Sequence, residues 1–479
     1  MQFLWYDLET FGRDPRRSRI AQFAAIRTDA NLRPIEPPLS FFCQPSDDVL
    51  PSPGSCLITG ITPQCARAEG LPEAEFAARI HEEMSRPETC VAGYNSIRFD
   101  DEFIRNLFYR NFFDPYAREW RQGNSRWDLI DAVRMARALR PDGLQWPLRE
   151  DGAPSFKLEH LAQANGLTHS HAHEALSDVE ATIALAARLH EAQPRLFDYT
   201  LGLRDKRRAA ALLDYAQMRP VLHISQRYPA AQGCGRLVLP ICPHPLIGNR
   251  ILACDLRDDP RDIIELPAED ILDRLYTPRA DLPEGVERIG LKEIHLNRAP
   301  ILIEPRHLNA DQLAVFGIDL DRQLEHAERL RAAPGLAEKL RAVFGTPRQD
   351  SGPADPDLSL YSGFPAPGDA ARFAQVRESG PRPPPGGRFG FRDPRYEELA
   401  FRYRARNWPQ ALDAAEHARW QQHRRERLAP GSGLGEYDLP GYRAEITALR
   451  AAADPGSGTH ALLDALEDWG ADIERSLAD

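Results

Sequence analysis

The chain has 479 residues, of which 42% are hydrophobic and 27% charged, and its formal net charge is −11. Single hydrophobic cores stop growing at about 250–300 residues, so this length predicts two or three domains. No segment approaches the ~18 uninterrupted apolar residues of a membrane span, and an apparent core strand follows the first residue directly, which argues against a signal peptide. We therefore expect a cytoplasmic protein without membrane contact.

The cysteines and the net charge exclude little else. The seven cysteines are scattered and contain no C-x-x-C pair, which predicts free thiols rather than a zinc site or a redox couple. Net negative charge argues weakly against nucleic-acid binding, because phosphate contacts need Lys and Arg. A metal site built from carboxylates adds negative charge that its cations offset, so a nucleic-acid substrate stays possible.

The first 195 residues have the pattern of an α/β unit. The apolar runs at 3–6 and 20–26 predict two strands of one sheet. Helical periodicity follows in four segments, at 73–84, 101–109, 129–139 and 177–189. Ser177 is the candidate N-cap of the last helix, which places Asp178 in its first turn.

The pattern of apolar and turn-forming residues changes near residue 200. Short strand candidates at 221–225, 236–241, 250–255 and 292–303 are separated by Pro, Gly and Asp, and a helical stretch follows at 319–344. This pattern predicts a small β-rich barrel. The Pro- and Gly-rich region 347–394 predicts a linker or extended loop. Helical segments at 396–403, 410–427, 442–452 and 460–477 predict a final all-α region.

Three acidic patches carry candidate chemistry. Asp7 and Glu9 end the first predicted strand, Asp100 follows about ninety residues later, and His173 precedes Asp178 by five positions. Residues i and i+2 of a strand share a face, so the first two carboxylates point the same way. Carboxylates hold Mg²⁺ or Mn²⁺ and an imidazole deprotonates water, which together are what two-metal phosphodiester hydrolysis needs.

The residues around these patches leave some alternatives open. Asp101 and Glu102 directly follow Asp100 and are rival candidates for the middle ligand, although the motif position favours Asp100. Leu8 lies between the paired carboxylates and is predicted to face the core. The thirteen histidines other than His173 show no comparable pattern, and we expect them to be structural or solvated.

The order and spacing of these patches resemble the DEDDh exonuclease superfamily. Further stretches are similar to the bacterial exonuclease I family, at 10–12, 57–63, 93–102, 124–129 and 401–407. The resemblance covers nearly the full chain and is weakest at 347–394. It implies a ribonuclease-H-like exonuclease domain at 1–195, an SH3-like β-barrel domain at 196–346, a linker at 347–394 and a C-terminal all-α domain at 395–479, together enclosing single-stranded DNA.

Carried onto this sequence, the resemblance also implies a reaction. Asp7, Glu9, Asp100 and Asp178 would hold two Mg²⁺ ions, which Mn²⁺ can replace, and His173 would be the general base. The implied activity is 3′→5′ hydrolysis of single-stranded DNA to 5′-mononucleotides by a monomer, in DNA repair and recombination.

Candidate DNA contacts combine cations with residues beside the acidic pair. Thr10 and Phe11 directly follow that pair, and Arg105 and Arg134 lie on the helices flanking the middle patch, where surface ion pairing is the alternative. The basic runs 204–208 and 402–406 also fit a DNA channel, although a charged helix face is the ordinary explanation for the second run.

The family is also one that docks the acidic, Phe-ended tail of single-stranded-DNA-binding protein on a basic ridge. The resemblance places that ridge at Arg140, Tyr199 and Arg219. Two other functions stay open. A DEDDh ribonuclease or proofreading exonuclease needs little beyond the first ~190 residues, so the long extensions count against it. A non-catalytic clamp for single-stranded nucleic acid would not require all five site residues.

Overall fold

The computed structural model describes residues 1–169, 174–346, 355–384, 386–454 and 458–478. The strands are β1 Gln2–Thr10, β2 Ile20–Thr28, β3 Leu39–Phe42, β4 Thr89–Gly93, β5 Ser125–Asp128, β6 Val221–Ile224, β7 Gly235–Pro243, β8 Arg250–Asp255, β9 Leu291–His295 and β10 Ile301–Ile303. The helices are α1 Pro53–Thr59, α2 Pro63–Glu69, α3 Glu73–Met84, α4 Asp100–Arg110, α5 Leu129–Leu139, α6 Leu158–Ala164, α7 Ala175–Ala192, α8 Pro194–Gly202, α9 Lys206–Leu212, α10 Arg261–Glu265, α11 Ala268–Tyr276, α12 Ala310–Val315, α13 Leu320–Ala332, α14 Leu336–Gly345, α15 Pro367–Ala370, α16 Phe373–Ser379, α17 Pro394–Asn407, α18 Ala414–Leu428, α19 Leu439–Ala452 and α20 Thr459–Ala478.

The chain divides into two compact units. The first contains residues 1–125, 169–180 and 351–479, and the second contains residues 126–168 and 181–350. These units group the chain differently from the predicted domains, because segments far apart in sequence pack together in the first unit. The predicted limits at 195, 346 and 394 stay predictions.

The first sheet has the strand order β3-β2-β1-β4-β5. β1 pairs antiparallel with β2 and parallel with β4, which makes it a central strand. Tyr6 and Leu8 of β1 are buried in one apolar core with side chains of α3 and α4. The two predicted strands and the core position of Leu8 are therefore confirmed.

The predicted helices of this region are confirmed with one correction. α3 and α5 have the predicted bounds, and α4 extends one residue beyond them at each end. α7 begins at Ala175, so Ser177 lies inside the helix and its prediction as the N-cap is wrong. Ala and Leu are strong helix formers, which explains why the helix extends through Ala175 and Leu176. Asp178 still lies in the first turn.

The second unit contains an antiparallel sheet of order β10-β6-β7-β8-β9. Apolar side chains of β7 and β8 pack against α11, α13 and α14. Two predicted elements are each divided. The predicted strand 292–303 forms β9 and β10, separated where Ala299 has a φ of 44°. The predicted helix 319–344 forms α13 and α14, because Pro334 and Gly335, with a φ of 70°, interrupt it.

The Pro- and Gly-rich region is not an extended loop in the part that the structure describes. It contains α15 and α16, and Leu360, Phe373 and Phe391 are buried with Tyr109 and Tyr396 in one apolar cluster. Aromatic side chains thus fix this region to the first unit. The predicted helices beyond it are confirmed as α17 to α20, with shifted ends.

The basic run 402–406 lies in a buried ionic network, so its prediction as a DNA surface is wrong. Arg402 donates to Asp357 at 2.7 Å. Arg406 donates to Asp48 at 2.8 Å and to Asp357 at 2.7 Å. Arg427 is fully buried and lies 3.6 Å from Asp48. The sequence reveals these positive charges but not their acidic partners, which lie far away along the chain.

Two predictions from composition can be compared directly with the structure. All seven cysteines are free, and all but Cys65 are buried, which confirms the prediction of free thiols. None of the described helices is both long enough and apolar enough to cross a membrane.

Candidate active site

Strand β1 presents two acidic side chains on one face. Successive side chains of a strand alternate, so Asp7 and Glu9 lie opposite the core residues Tyr6 and Leu8. Glu9 is buried and Asp7 is half-buried. The pairing register of β1 with β2 shifts directly after Glu9, and such irregularities are frequent beside active sites.

A third carboxylate approaches this pair from α7. One oxygen each of Asp7, Glu9 and Asp178 lie within 4.8 Å of one another. Asp178 occupies the first turn of its helix, where the backbone N–H groups favour negative charge. Asp100 is buried at the start of α4 and acts electrostatically on Asp7. The structure therefore brings three of the four predicted carboxylates close together, and the charge of the fourth, Asp100, acts on Asp7.

Crowding and burial raise the pKa values of these acids. Burial raises the pKa of Asp7 well above its usual value, and the charges of Asp100 and Asp178 raise it further. Burial, followed by the charges of Asp7 and Asp178, raises the pKa of Glu9 to about 9. The cluster therefore holds protons at neutral pH unless cations neutralise it.

Asp101 is committed to a structural contact. The Tyr6 hydroxyl donates to Oδ1 of Asp101 at 2.8 Å, and Arg118 donates to the same oxygen at 2.5 Å. Arg118 is fully buried, so its charge requires this carboxylate. Asp101 is thus a poor candidate for the middle ligand.

Glu102 is also held by neighbours. It accepts a hydrogen bond from Arg105 at 2.7 Å and another from the Tyr361 hydroxyl. These contacts engage both of its carboxylate oxygens. The charge of Asp100 raises the pKa of Asp7, which supports Asp100 as the middle ligand.

One histidine outside the predicted set contacts the cluster. Nε2 of His169 lies 2.5 Å from Oδ1 of Asp178, and the imidazole is largely buried. The sequence predicted this histidine to be structural or solvated, and the structure places it in contact with a candidate metal ligand. The one signal in the sequence was the short separation from Asp178, which His169 shares with His171 and His173. All three lie within nine positions before that aspartate. His173 lies outside the described residues, and its role as a base stays a prediction.

The donor set of this cluster fits hard divalent cations. Carboxylate oxygens are the ligands that Mg²⁺ and Mn²⁺ prefer, and the residues that would supply them are Asp7, Glu9, Asp100 and Asp178. A second group of described acids and histidine, Asp48, Asp357 and His423, also has closely spaced donor atoms. Its carboxylates are paired with buried arginines, so that group does not fit a cation.

The predicted DNA contacts of the first unit are largely buried. Phe11 is 3% exposed and packs among side chains of α19 and α20, so its ring is not accessible to a base. The Thr10 hydroxyl donates to a backbone carbonyl two residues later at 2.7 Å. Arg105 forms ion pairs with Glu102 at 2.7 Å and Glu119 at 2.8 Å, as the ion-pairing alternative expected. DNA contacts by Thr10, Phe11 and Arg105 stay predictions.

The remaining predicted residues belong to the second unit. Arg134 is buried and donates to Asp131 at 2.5 Å, so its DNA contact also stays a prediction. Arg140 and Arg219 are exposed. The Tyr199 hydroxyl donates to a carbonyl of β10 at 2.6 Å. The two arginines are thus accessible to an acidic partner, while Tyr199 is fixed by its hydrogen bond.

Three family models match consecutive parts of this chain. The model described as Exonuclease matches residues 4–186, the Exonuclease I SH3-like domain matches 204–346, and the Exonuclease I C-terminal domain matches 354–473. Their order confirms the predicted fold class, an exonuclease domain followed by an SH3-like domain and a helical C-terminal domain.

The curated and structural relatives cover almost the whole chain. Exodeoxyribonuclease I of Escherichia coli K12 is 44% identical over 471 residues, which are 98% of either protein. Exonuclease I of Methylocaldum szegediense is 48% identical, with a TM-score of 0.93 over 98% of this chain and 99% of that one. E. coli exonuclease I in complex with a dA16 oligonucleotide is 44% identical, with a TM-score of 0.94 and the same coverage.

Two further structures concern ligands and partners. A zinc-bound complex of E. coli exonuclease I with single-stranded DNA is 44% identical to this chain, with a TM-score of 0.93 over 99% of either chain. A complex of SSB and exonuclease I with the inhibitor CFAM is 43% identical, with a TM-score of 0.91 over 98% of this chain and 99% of that one.

Proposed function

This chain belongs to the exonuclease I family, and on that premise we propose that it hydrolyses single-stranded DNA from the 3′ end to 5′-mononucleotides. The observation that carries the proposal is the convergence of Asp7, Glu9 and Asp178, with oxygens within 4.8 Å of one another. Carboxylates crowded in this way are costly without cations, which indicates a site built for metal-dependent chemistry. The zinc-bound DNA complex of the E. coli relative supports both the divalent metal and the substrate.

Each site residue of the chain has a separate role in the proposed reaction. Asp7, Glu9, Asp100 and Asp178 would hold two Mg²⁺ ions, which Mn²⁺ could replace. Such ions lower the pKa of the attacking water and stabilise the leaving 3′ oxygen when bound. His173 accepts the proton of that water, since an imidazole with a pKa near ~6.5 is largely neutral at cellular pH. His169 contacts Asp178 and holds one of its oxygens.

The accessory residues bind the strand and a protein partner. Thr10, Phe11, Arg105 and Arg134 stay assigned to the DNA path, although the ring of Phe11 is buried. Arg140, Tyr199 and Arg219 receive the acidic tail of single-stranded-DNA-binding protein, a pairing supported by the SSB complex of a relative. Exchange of Arg140 for Glu will weaken binding of a tail peptide without slowing digestion of naked DNA, and an unchanged peptide affinity would remove this assignment.

The cellular setting follows the same proposal. A cytoplasmic monomer acting in DNA repair and recombination is consistent with the family. A DEDDh ribonuclease or proofreading subunit is disfavoured, because both models that match beyond residue 186 are specific to exonuclease I. A non-catalytic clamp is disfavoured by the assembled carboxylates.

The experiment follows 5′-labelled single-stranded DNA, its duplex and the matching RNA with Mg²⁺ over time. We expect a ladder that shortens from the 3′ end on single-stranded DNA alone. Asp178→Ala will abolish the ladder, whereas Asp468→Ala, at an exposed position of α20, will not. Equal degradation of RNA would favour the ribonuclease, and binding without degradation by the wild type would favour the clamp.

A further inference from the structure

The turn that follows strand β1 is held by a side chain from the far end of the sequence. The backbone N–H of Arg13 donates to both carboxylate oxygens of Glu436 at 3.0 Å, and that of Asp14 donates to Oε2 at 3.4 Å. Glu436 follows Arg13 by 423 positions, but both belong to the first unit. Hydrogen bonds to an ionised carboxylate are roughly twice as strong as neutral ones, so this side chain binds the turn firmly.

The carboxylate fits against the turn because residue 12 is a glycine. A Cβ atom on Gly12 would lie closer than 3.0 Å to Oε2 of Glu436 and 2.6 Å from the hydroxyl oxygen of Ser18. Atoms that share no bond do not approach this closely, so any larger side chain would displace the carboxylate. Glycine is the usual residue where another group comes this near to the backbone. Gly12 and Glu436 therefore form a matched pair.

The segment 429–438, which joins α18 to α19, carries this glutamate. We call it the clamp segment. Nε of Arg17 donates to the carbonyl of Gly433 at 2.8 Å, which is a second contact between the clamp segment and the same turn. Asp438 is the N-cap of α19 and also accepts from the backbone N–H of Gly431 at 2.9 Å. The clamp segment is thus braced by the helix that follows it and reaches the turn at two points.

The clamped turn is continuous with a candidate metal ligand. Glu9 lies three residues before Gly12, and the pairing of β1 with β2 shifts register between Glu9 and Thr10. Such a shift disrupts the ladder locally, so strand pairing alone does not fix the backbone here. The Thr10 hydroxyl donates to the carbonyl of Gly12 at 2.7 Å, and the N–H of Phe11 donates to the carbonyl of Arg19 at 2.9 Å. The turn therefore helps to set the position of the end of β1.

We propose that Glu436 is a positioning residue of the metal site, which holds the turn after β1 and thereby orients the carboxylate of Glu9. This inference rests on the proposed function, because it takes Glu9 as a metal ligand. Groups around a ligand carboxylate hold it in the geometry that the cation requires, and metal affinity falls when they are removed. A contact that only stabilises the fold would leave the metal affinity of the folded protein unchanged. This difference separates the two explanations.

Calorimetric titration of DNA-free protein with Mn²⁺ tests this role. Glu436→Ala removes both acceptor oxygens, and Glu436→Gln keeps one of them. Because Glu436 acts through the turn, we expect Glu436→Ala to lose about tenfold in affinity, the lower end of the effect of direct ligand partners, and Glu436→Gln to lose less. Glu426→Ala, which removes an exposed glutamate of α18, is the matched control and leaves the affinity unchanged. Thermal unfolding establishes that each variant is folded at the temperature of the titration.

Gly12→Ala tests the same contact from the side of the turn. The added methyl group displaces the Glu436 carboxylate, so this variant is expected to lose about as much Mn²⁺ affinity as Glu436→Ala. Both changes break one contact, and their effects in the double variant will therefore not add. An affinity of folded Glu436→Ala within about twofold of the wild type, or fully additive losses in the double variant, overturns the assignment.

The same titration distinguishes this inference from the proposed function. If the wild type binds Mn²⁺ and Glu436→Ala binds it equally well, the positioning role of Glu436 is refuted and the proposed function stands. If the wild type binds no Mn²⁺, or binds it equally after Asp178→Asn, the proposed function is contradicted and the positioning role falls with it.

Discussion

Nε2 of His169 lies 2.5 Å from Oδ1 of Asp178, the carboxylate that α7 contributes to the acidic cluster. A histidine so placed fixes the orientation of this candidate ligand before any cation binds. Partners of metal ligands commonly change metal affinity by about 10- to 100-fold when they are removed. His169 is therefore expected to act through Asp178 and not on the substrate.

Replacement of His169 will weaken metal binding without DNA present. His169→Ala is expected to lower the affinity for Mn²⁺ by about 10- to 100-fold, because Asp178 loses the contact that orients it. His169→Gln restores an N–H donor and will recover part of the affinity. Isothermal titration of DNA-free protein measures both changes. His417→Ala, an exposed position of α18, is the control, and equal affinities in all variants would show that the contact has no such role.

Metal-free protein will lose stability as the pH rises. The pKa of Glu9 is raised from 4.5 to about 9, so the folded state binds more protons than the unfolded state between these values. Stability therefore falls as the pH increases through that window, and bound cations remove the penalty. Thermal unfolding with and without Mg²⁺, at about pH 5.5 and pH 8.5, will show a larger Mg²⁺-induced rise in Tm at the higher pH. A rise that is the same at both pH values would contradict the explanation.

Substitution of Asp100 and of Asp101 will distinguish a metal ligand from a structural acid. Asp100→Asn is expected to reduce metal affinity and activity together. Asp101→Asn will leave metal affinity intact but destabilise the fold by roughly 3–5 kcal/mol, because Arg118 keeps a buried charge without its carboxylate. Calorimetric titration and urea denaturation distinguish the two effects. Loss of metal binding in Asp101→Asn would instead identify Asp101 as the metal ligand.

The buried ionic network will be the most sensitive part of the first unit. Arg406→Leu removes the cation that contacts both Asp48 and Asp357, which is expected to cost roughly 3–5 kcal/mol of unfolding free energy. Arg443→Leu breaks an exposed pair with Glu474 and is expected to cost less than about 1 kcal/mol. Urea denaturation compares the two variants. Similar losses of unfolding free energy in the two variants would mean that burial does not strengthen the network.

Local patterns predicted much of the fold and of the acidic cluster. The alternation in β1 placed Leu8 in the core and its acidic neighbours on one face, because strand periodicity depends only on adjacent residues. Contacts between distant segments were not predictable in the same way. The positive charge of the run 402–406 is visible in the sequence. Its pairing with Asp48 and Asp357 inside the protein is not. Phe11 looked available for DNA because the helices that cover it lie more than 400 residues later.

The proposed function requires that the carboxylate cluster hold divalent cations against the phosphodiester bond at the 3′ end. The most direct measurement is single-turnover cleavage of an oligonucleotide with one sulfur in place of a non-bridging oxygen at its last phosphodiester. Sulfur is a poor ligand for Mg²⁺ and a better one for softer cations, so cleavage is expected to slow in Mg²⁺ and to recover in Mn²⁺. If the sulfur substitution slows cleavage equally in both metals, or if cleavage continues in EDTA, metal contact with the reacting phosphate is contradicted.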